Sequence, residues 1–283
     1  MLKDILVIVD SGPRAPALDL AMALAAQHEA QVTGLFVTAP VRLPPHLDAR
    51  VRAEVGRVEA AVTRDGAAAV EARFRDAARG VIADDRIEWY VVTGDPDEVG
   101  ADLARCADLV MIGQIAPDQF LAFPPVHPET VLFAGGRPVL MVPYAGAASG
   151  HRVPPATVMI AWNGSSAAAR AVGDAVPILR RANKVIVLSV NPPFRARLDA
   201  AAAAVPGADL VRHLSRHGIR AKAHHVNVGD IEPGDILLNQ AADLGVDLIV
   251  MGAYGRSRLR ELVLGGTTRH ILRHMTVPVL LSH

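Results

Sequence analysis

The sequence contains a single cysteine among its 283 residues, so no intrachain disulfide can stabilise the protein. Cys106 lies in the segment Leu103–Ala107, just before an apolar run that begins at Leu109. Free cysteines behave as small apolar side chains and are among the most often buried residues. The sequence therefore predicts that Cys106 is a buried structural thiol.

The sequence also lacks an excess of either charge and a long apolar segment. Acidic and basic residues number 29 each, which removes the electrostatic basis for nucleic acid or an anionic membrane as the main partner. No apolar run approaches the roughly 20 residues of a transmembrane helix. The N-terminal apolar stretch of about five residues ends at Asp10, which is too short for a signal peptide. We therefore expect a soluble, cytoplasmic protein that binds neither nucleic acid nor membrane.

Short, β-branched apolar runs recur along the chain between Ala- and Leu-rich segments with helical spacing. Continuous apolar runs of this length are typical of strands that are buried on both faces of a parallel sheet. Strands that alternate with helices indicate βαβ units. The predicted strands are Ile5–Val9, Val32–Val37, Ile87–Val92, Leu109–Ile112, Val139–Val142, Val158–Trp162, Val185–Val190, Ala221–Val228, Leu248–Met251 and Val277–Leu281.

The last five runs repeat the first five in the same order, so the chain is interpreted as a duplication of one five-stranded unit. The segment Asp108–Gly113, for example, resembles Asp247–Gly252, and Thr93–Asp95 resembles Val228–Asp230. Between the repeats, the composition of glycine, proline and small residues is typical of a linker. We predict two tandem open, mostly parallel five-stranded α/β domains, at residues 1–143 and 156–283, joined by a linker at 144–155.

The candidate chemistry directly follows the fourth strand of the second repeat. Three glycines there are separated by two and then by nine residues, and a further glycine and a threonine open a helical segment. Glycine lets the backbone approach a ligand closely, and the N–H groups of a helix N-terminus attract anions. The segment thus predicts an anion-binding loop, although the same glycines would also serve as turn and cap residues. Its candidate ligand-binding residues are Gly252, Gly255, Arg256, Gly265, Gly266 and Thr267.

This loop differs from the P-loop of NTPases, which requires Gly-Lys-Ser/Thr. The segment contains no lysine, and only three lysines occur in the whole chain. A cradle made of backbone amides and hydroxyls suits binding better than phosphoryl transfer, which relies on a preorganised cation and metal clamp. We therefore predict a binding site without catalytic residues.

The segment resembles the ATP-binding signature of the universal stress protein family. The end of the first strand of the second repeat, Ala161–Ser166, resembles the Asp-x-Ser strand end of that family. The resemblance covers essentially the whole chain, as two copies. It implies an open five-stranded α/β fold with adenine against the first two strand ends and phosphates on the glycine loop. Carried over, Asn163 and Val190 would border adenine and ribose, and the loop residues would hold ribose and phosphates.

Several residues depart from the family pattern. Asn163 stands where the family usually has Asp, which removes a carboxylate that could help to place Mg²⁺, and Gly266 replaces a Ser. The N-terminal repeat departs further, because Ala116 replaces the second glycine and Pro117 lacks an N–H donor. The resemblance thus implies ATP or another adenine nucleotide, with or without Mg²⁺, in the C-terminal domain. It implies a structural or regulatory role for the N-terminal domain.

The leading hypothesis is a stress-response regulatory protein that binds an adenine nucleotide and acts on an unidentified protein partner. A nucleotide-free interaction protein is the alternative. An ATP-dependent enzyme would need catalytic residues near the strand ends, and none is evident, so we expect at most slow ATP hydrolysis. Two histidine pairs with i, i+4 spacing lack a third ligand, so we predict no metal site. They are His213 and His217, and His270 and His274.

Three further expectations concern packing. The resemblance implies that the fifth strands of the repeats, Val139–Val142 and Val277–Leu281, pair within the chain as an internal pseudo-dimer, which would cover open sheet edges. Association of two chains into a homodimer stays open. The charged stretch Arg50–Arg79 is interpreted as a solvated helix face, and Ser165 or Ser166 is predicted to cap the helix after the first strand of the second repeat.

Overall fold

The computed structural model describes residues 1–13, 15–40, 46, 48–116, 119–144, 154–191, 205–227, 229, 231–253 and 266–283. The chain divides into two compact units, Leu2–Arg137 and Pro138–His283, the second of which also takes in Met1. Each consists of parallel strands connected by helices.

The first unit contains a four-stranded parallel sheet in the order β3-β2-β1-β4. A short 3-10 turn, Asp84–Arg86, precedes β3, and a π-helical turn, Val131–Gly135, follows α4. The elements are β1 (Asp4–Ile8), α1 (Ala17–His28), β2 (Gln31–Thr38), α2 (Ala49–Ala78), β3 (Ile87–Thr93), α3 (Pro96–Ala104), β4 (Leu109–Gly113) and α4 (Pro128–Thr130).

The second unit contains six strands in the order β5-β10-β9-β6-β7-β8, and every neighbouring pair is parallel except β5 and β10. The elements are β5 (Val139–Val142), β6 (Thr157–Ala161), α5 (Ser166–Leu179), β7 (Lys184–Val190), α6 (Ala208–Arg216), β8 (Ala221–Val226), α7 (Pro233–Asp243), β9 (Leu248–Gly252), α8 (Gly266–His274) and β10 (Val279–Ser282).

The predicted fold class, an open and mostly parallel α/β architecture, is confirmed, and all ten predicted runs form strands. The central strands are apolar throughout because both of their faces are buried; β4 and β5, for instance, have no exposed residue. The outer strands β3 and β8 alternate between partly buried and exposed side chains over most of their length. One covered face and one open face account for that pattern.

The long charged stretch of the first repeat is one helix of 30 residues, α2. The Asp48 side chain caps its N-terminus by accepting a hydrogen bond from Arg50 N at 2.8 Å, and the helix ends before Arg79. These ends match the predicted stretch. The corresponding helix of the second repeat, α6, has nine residues and begins after Pro206 and Gly207.

The fifth strands of the two repeats pair antiparallel, with Val279 opposite Met141 and Leu281 opposite Val139. This pairing places β5 in the second compact unit, so the units divide at Arg137 rather than in the segment 144–155. The domain limits inferred from the repeats describe sequence duplication and stay a prediction. Residues 145–153 of the predicted linker lie outside the described residues.

The prediction that Cys106 is buried is wrong, because its side chain is exposed. Helix α3 ends at Ala104, and the chain then turns before β4 begins. Ala104 and Ala107 occupy the buried positions of that turn, with 0% and 5% exposure, and Cys106 lies between them on the outside. Among the helices that the structure describes, none combines the length and apolar character needed to cross a bilayer.

Candidate functional site at the strand ends

Three parallel strands of the second unit end at the same edge. β6 lies between β7 and β9, and the register aligns Ala161 with Leu188 on one side and with Met251 on the other. In open α/β sheets, ligands bind in the crevice beyond the carboxyl ends of the strands. The structure therefore brings three of the predicted site residues to one edge: Asn163, Val190 and Gly252.

Asn163 forms the turn between β6 and α5. Its Oδ1 atom accepts a hydrogen bond from Ser165 N at 3.0 Å, and Gly164 has a positive φ of 70°. Ser165 is the N-cap of α5, because its Oγ accepts a hydrogen bond from Ala168 N at 3.1 Å, which confirms the predicted cap. Asn163 thus accepts the hydrogen bond that an aspartate at this position would accept, but it carries no negative charge.

Gly252 is the last residue of β9 and lies against the first turn of α5. A Cβ atom at this position would lie 2.5 Å from the backbone carbonyl carbon of Ala167 and would also overlap the backbone nitrogen of Ala168. Backbone atoms cannot move aside as a flexible side chain can, so only glycine fits. This close approach sets the N-terminus of the 14-residue helix α5 directly beside the strand end.

Two buried hydroxyls lie at this edge, and no sequence motif predicted them. Ser189, the residue before Val190, is 2% exposed, and Ser282, which pairs with Gly252 across β9 and β10, is 1% exposed. Neither Oγ atom has a hydrogen-bond partner among the described residues. Buried polar groups almost always have a partner. The only sequence signal was a hydroxyl near the end of the otherwise aliphatic run Val185–Val190.

The remaining predicted residues belong to the glycine loop and to α8. Gly266 is exposed and Thr267 is partly buried at the start of α8, which is held to α7 by His270 Nε2 and Asp235 Oδ1 at 2.8 Å. Within the described part of the chain, no hydrogen bond links Gly266 or Thr267 to the strand ends. Three of the predicted ligand-binding residues lie outside the described residues: Gly255, Arg256 and Gly265.

The corresponding strand ends of the first unit form a crevice that is nearly filled by the chain itself. The ring of Phe123 packs edge-to-face on Phe36, with ring centroids 5.2 Å apart, and Ser11 Oγ accepts a hydrogen bond from Ala122 N at 3.0 Å. The crevice keeps about 20 Å³ of free volume, which is room for about one water molecule. Its lining comes from the ends of β1, β2 and β4 and from the segment 123–126.

Two partly buried charged residues, Asp10 and Arg73, lie near each other at the end of β1. Arg73 of α2 donates hydrogen bonds to the backbone oxygens of Gly12 and, at 3.1 Å, of Asp10. Burial raises the pKa of Asp10, and a hydrogen bond from Gly12 N together with the Arg73 charge partly offsets that rise. Burial lowers the pKa of the Arg73 guanidinium, and the charge of Asp10 opposes that effect. The first unit therefore uses its strand-end polar groups to hold its own loops.

No group of three or more His, Cys, Asp or Glu side chains in the described residues is arranged to hold a metal ion. The rings of His213 and His217 lie close together but tilted, with centroids 4.7 Å apart, and so do those of His270 and His274 at 4.5 Å. His270 instead bonds Asp235, and His274 Nδ1 lies 3.0 Å from the backbone oxygen of His270. His213, His217 and His274 are exposed, and His270 is partly buried.

Comparison with known proteins places the site in a family. Residues 156–283 match the model of the universal stress protein family. The universal stress protein Slr1230 from Synechocystis is 44% identical over 46 residues, which are 16% of this chain and 16% of that protein's length. The universal stress protein Rv1636 from Mycobacterium tuberculosis is 29% identical over 142 residues, which cover 45% of this chain and 95% of that relative.

A solved universal stress protein from Archaeoglobus fulgidus shares the fold along the whole chain. It matches with a TM-score of 0.65 at 16% sequence identity and covers 99% of this chain and 97% of its own. At that identity the likeness speaks for the fold alone. The family match of residues 156–283, the similar relatives and the shared fold agree. Residues 156–283 are therefore a domain of the universal stress protein family, and the chain as a whole shares the fold of a solved universal stress protein.

Proposed function

We propose that the C-terminal domain binds an adenine nucleotide, with ATP as the first candidate, and that binding regulates a stress-response role through a protein partner. The observation that carries this proposal is the meeting of Asn163, Val190 and Gly252 at the ends of three adjacent parallel strands. By resemblance to the family, Asn163 and Val190 would border adenine and ribose, and Gly252 would hold ribose and phosphates. The family match covers the same part of the chain.

The geometry beside Gly252 favours an anion. The first turn of α5 touches the end of β9 so closely that a side chain at Gly252 would overlap its backbone. A helix N-terminus carries a partial positive charge and free N–H groups, which stabilise a phosphate placed near it. No lysine is needed for this interaction, in keeping with the absence of lysine from the glycine segment.

The buried hydroxyls of Ser189 and Ser282 support a polar ligand at the same edge. A buried hydroxyl without a partner costs the protein about 1–3 kcal/mol, so a ligand group that bonds either one would gain affinity. Mg²⁺ prefers oxygen ligands and often binds through substrate phosphates. Since Asn163 supplies only an amide oxygen, we expect any Mg²⁺ to be held mainly by the phosphates.

Calorimetric titration of the full chain with ATP, with and without Mg²⁺, tests the proposal. The test variant is Gly255→Arg, which fills the middle of the glycine segment, and the matched control is Ala116→Arg, the same change at the corresponding position of the first repeat. We expect saturable binding to the wild type and to Ala116→Arg, and loss of binding in Gly255→Arg.

Two results would contradict the proposal. Absence of binding by folded wild-type protein, after any co-purified nucleotide has been removed, would mean that Asn163 and Gly266 mark a lost site and that the chain works as a nucleotide-free interaction protein. Binding that survives Gly255→Arg but disappears in Ala116→Arg would place the nucleotide in the first repeat instead.

A further inference from the structure

The crevice at the strand ends of the first unit is filled by the segment 119–127, which we call the plug. Of its nine side chains, only those of Phe123 and Val126 are buried, with 8% and 5% exposure. Phe120, by contrast, is 87% exposed. Two apolar side chains rather than a continuous buried face therefore attach the plug to the first unit.

Side chains of other elements accept the hydrogen bonds that hold the plug. Ser11 Oγ accepts hydrogen bonds from Ala122 N at 3.0 Å and from Phe123 N at 3.4 Å. At the far end, Asp97 Oδ1 accepts a hydrogen bond from His127 N at 2.7 Å. Between its two ends, the plug forms no backbone-to-backbone hydrogen bond among the described residues. Segments with few buried contacts and few such bonds open locally at a lower free energy than the core.

Two helices carry a glycine where the buried side chains of the plug pack on them. A Cβ atom at Gly66 of α2 would lie 2.9 Å from the ring of Phe123, and one at Gly100 of α3 would lie 2.6 Å from Cγ1 of Val126. Both glycines lie inside helices, where glycine is less favourable than alanine. The first unit is thus shaped to receive the plug.

The plug lies where an open α/β sheet binds its ligands, beyond the carboxyl ends of the strands. The Phe123 ring stands edge-to-face on Phe36 at 84°, and two N–H groups of the plug reach Ser11 Oγ. The walls of the crevice include the apolar side chains of Ile8 and Ile112. Without the plug, the crevice would offer an apolar space for one ring and a hydroxyl acceptor beside it.

We propose that the plug is an autoinhibitory occupant, and that its displacement opens a second ligand site for a planar aromatic ring with an N–H donor. Such a ring takes the place of the Phe123 ring on Phe36, and its N–H group takes the place of the plug amides on Ser11 Oγ. Ligand and plug compete for one volume, so the ligand binds only the open form and increases its population. The small open fraction lowers the apparent affinity. This site is separate from the nucleotide site proposed for the second repeat and does not rest on it.

Hydrogen–deuterium exchange of the full chain, followed by NMR, tests the local opening. We expect low concentrations of urea to leave the exchange rates of the Ala122 and Phe123 amides unchanged. The amides of β2 should exchange more slowly, and faster as urea rises, because they require unfolding of the sheet. Ser11→Ala should speed exchange of the plug amides about tenfold, since it removes their acceptor. Ser215→Ala, which removes a bonded hydroxyl from the second repeat, is the matched control and should leave them unchanged.

Indole is the probe for the ligand class, because its planar ring system carries one N–H group, and indene is the matched ring system without it. Indole added to the wild type should speed exchange of the Ala122 and Phe123 amides but not of the β2 amides, since the bound ring keeps the plug out. Indene should need concentrations about tenfold higher for the same effect.

Three results would overturn the proposal. Plug amides that exchange only together with the β2 amides would show that the crevice does not open locally. Plug amides that indole slows or leaves unchanged would show that the ring does not displace the plug. Indene as effective as indole would exclude the N–H donor from the assigned ligand class.

Discussion

The strand ends of the two repeats share a backbone hydrogen bond but differ in the side chain that follows it. In each repeat, the residue after the first strand donates a hydrogen bond to the second strand: Val9 N to Leu35 O at 2.9 Å, and Trp162 N to Leu188 O at 2.8 Å. The next residue of the second strand is Phe36 in one repeat and Ser189 in the other. An aromatic ring packs on Phe36, whereas the hydroxyl of Ser189 is buried without a partner among the described residues.

The difference indicates that the first repeat uses its strand ends for packing, whereas the second has the strand ends that we propose for binding. In the first unit, the segment around Phe123 occupies the edge where open α/β sheets bind ligands, and Ser11 and Arg73 hold neighbouring loops in place. In the second unit, the strand ends include Asn163, Gly252 and the buried hydroxyls of Ser189 and Ser282. The first repeat therefore keeps its crevice as core, and the second keeps the features that we propose for nucleotide binding.

The largest expected effect comes from removing the aromatic side chain that fills the first crevice. Phe123 is 8% exposed, and Phe123→Ala should lower the free energy of unfolding by about 3 kcal/mol, since a buried Phe→Ala change leaves a cavity. Urea unfolding followed by Trp89 fluorescence in a Trp162→Phe background would measure it in the first unit. Phe120→Ala is the control, because Phe120 is 87% exposed and should change little. A loss for Phe123→Ala no larger than the control would mean that the ring is not part of the core.

A second comparison concerns the glycines that end the fourth strand of each repeat. Gly252→Ala should cost about 2 kcal/mol, because the new Cβ would overlap the backbone of α5. Gly113→Ala should cost less than about 1 kcal/mol, since its Cβ would meet only the ring of Pro16, at 3.0 Å. Urea midpoints of the two variants would show the order, and equal losses would argue against the tight contact at Gly252.

A smaller effect is expected at the buried hydroxyl of the second unit. Ser189→Ala should leave the stability unchanged or raise it by up to about 1 kcal/mol, because it removes a buried hydroxyl that has no partner in the described residues. If Ser189 contacts the nucleotide, calorimetry should show weaker ATP binding by the same variant. A clear loss of stability would instead show that the hydroxyl is bonded within the native protein.

The smallest expected effect is a pH dependence at the end of β1. The pKa of Asp10 is raised above its ordinary value of 3.8, mainly by burial, so the native state loses stability as the pH rises through the raised pKa. Asp10→Asn cannot ionise and keeps an oxygen to accept the hydrogen bond from Gly12 N, as Asn163 does in the second repeat. The stability of Asp10→Asn relative to the wild type should therefore grow from pH 4 to pH 7.

The control for this pH dependence is Asn163→Asp. Asn163 is exposed and accepts a hydrogen bond from Ser165 N beside the N-terminus of α5, so a carboxylate there is favoured in its charged form, and the stability of this variant should not fall relative to the wild type as the pH rises. Urea midpoints at several pH values would measure both variants. A stability gain for Asp10→Asn that is constant or shrinks with rising pH would contradict the assigned cause.

The sequence alone determined the fold class, the duplication and the positions of the strands. Ten apolar runs were sufficient because parallel strands covered on both faces must be apolar throughout, and this signal is local. The ends of α2 were equally local, since Asp48 caps the helix through its own neighbour Arg50. Asn163, Val190 and Gly252 lie at or just after the ends of predicted strands, so their meeting at one edge of the sheet follows from the strand pattern, whereas their binding of a ligand stays a prediction.

Only the tertiary structure decided which side chains cover which edge. The burial of Phe123 over the first crevice depends on contacts with Phe36 and Ser11, far away in sequence, and the exposure of Cys106 depends on the turn after α3. Ser189 stood out only once its burial was known. Such properties arise from contacts between distant segments, which a local pattern of apolar and polar residues does not specify.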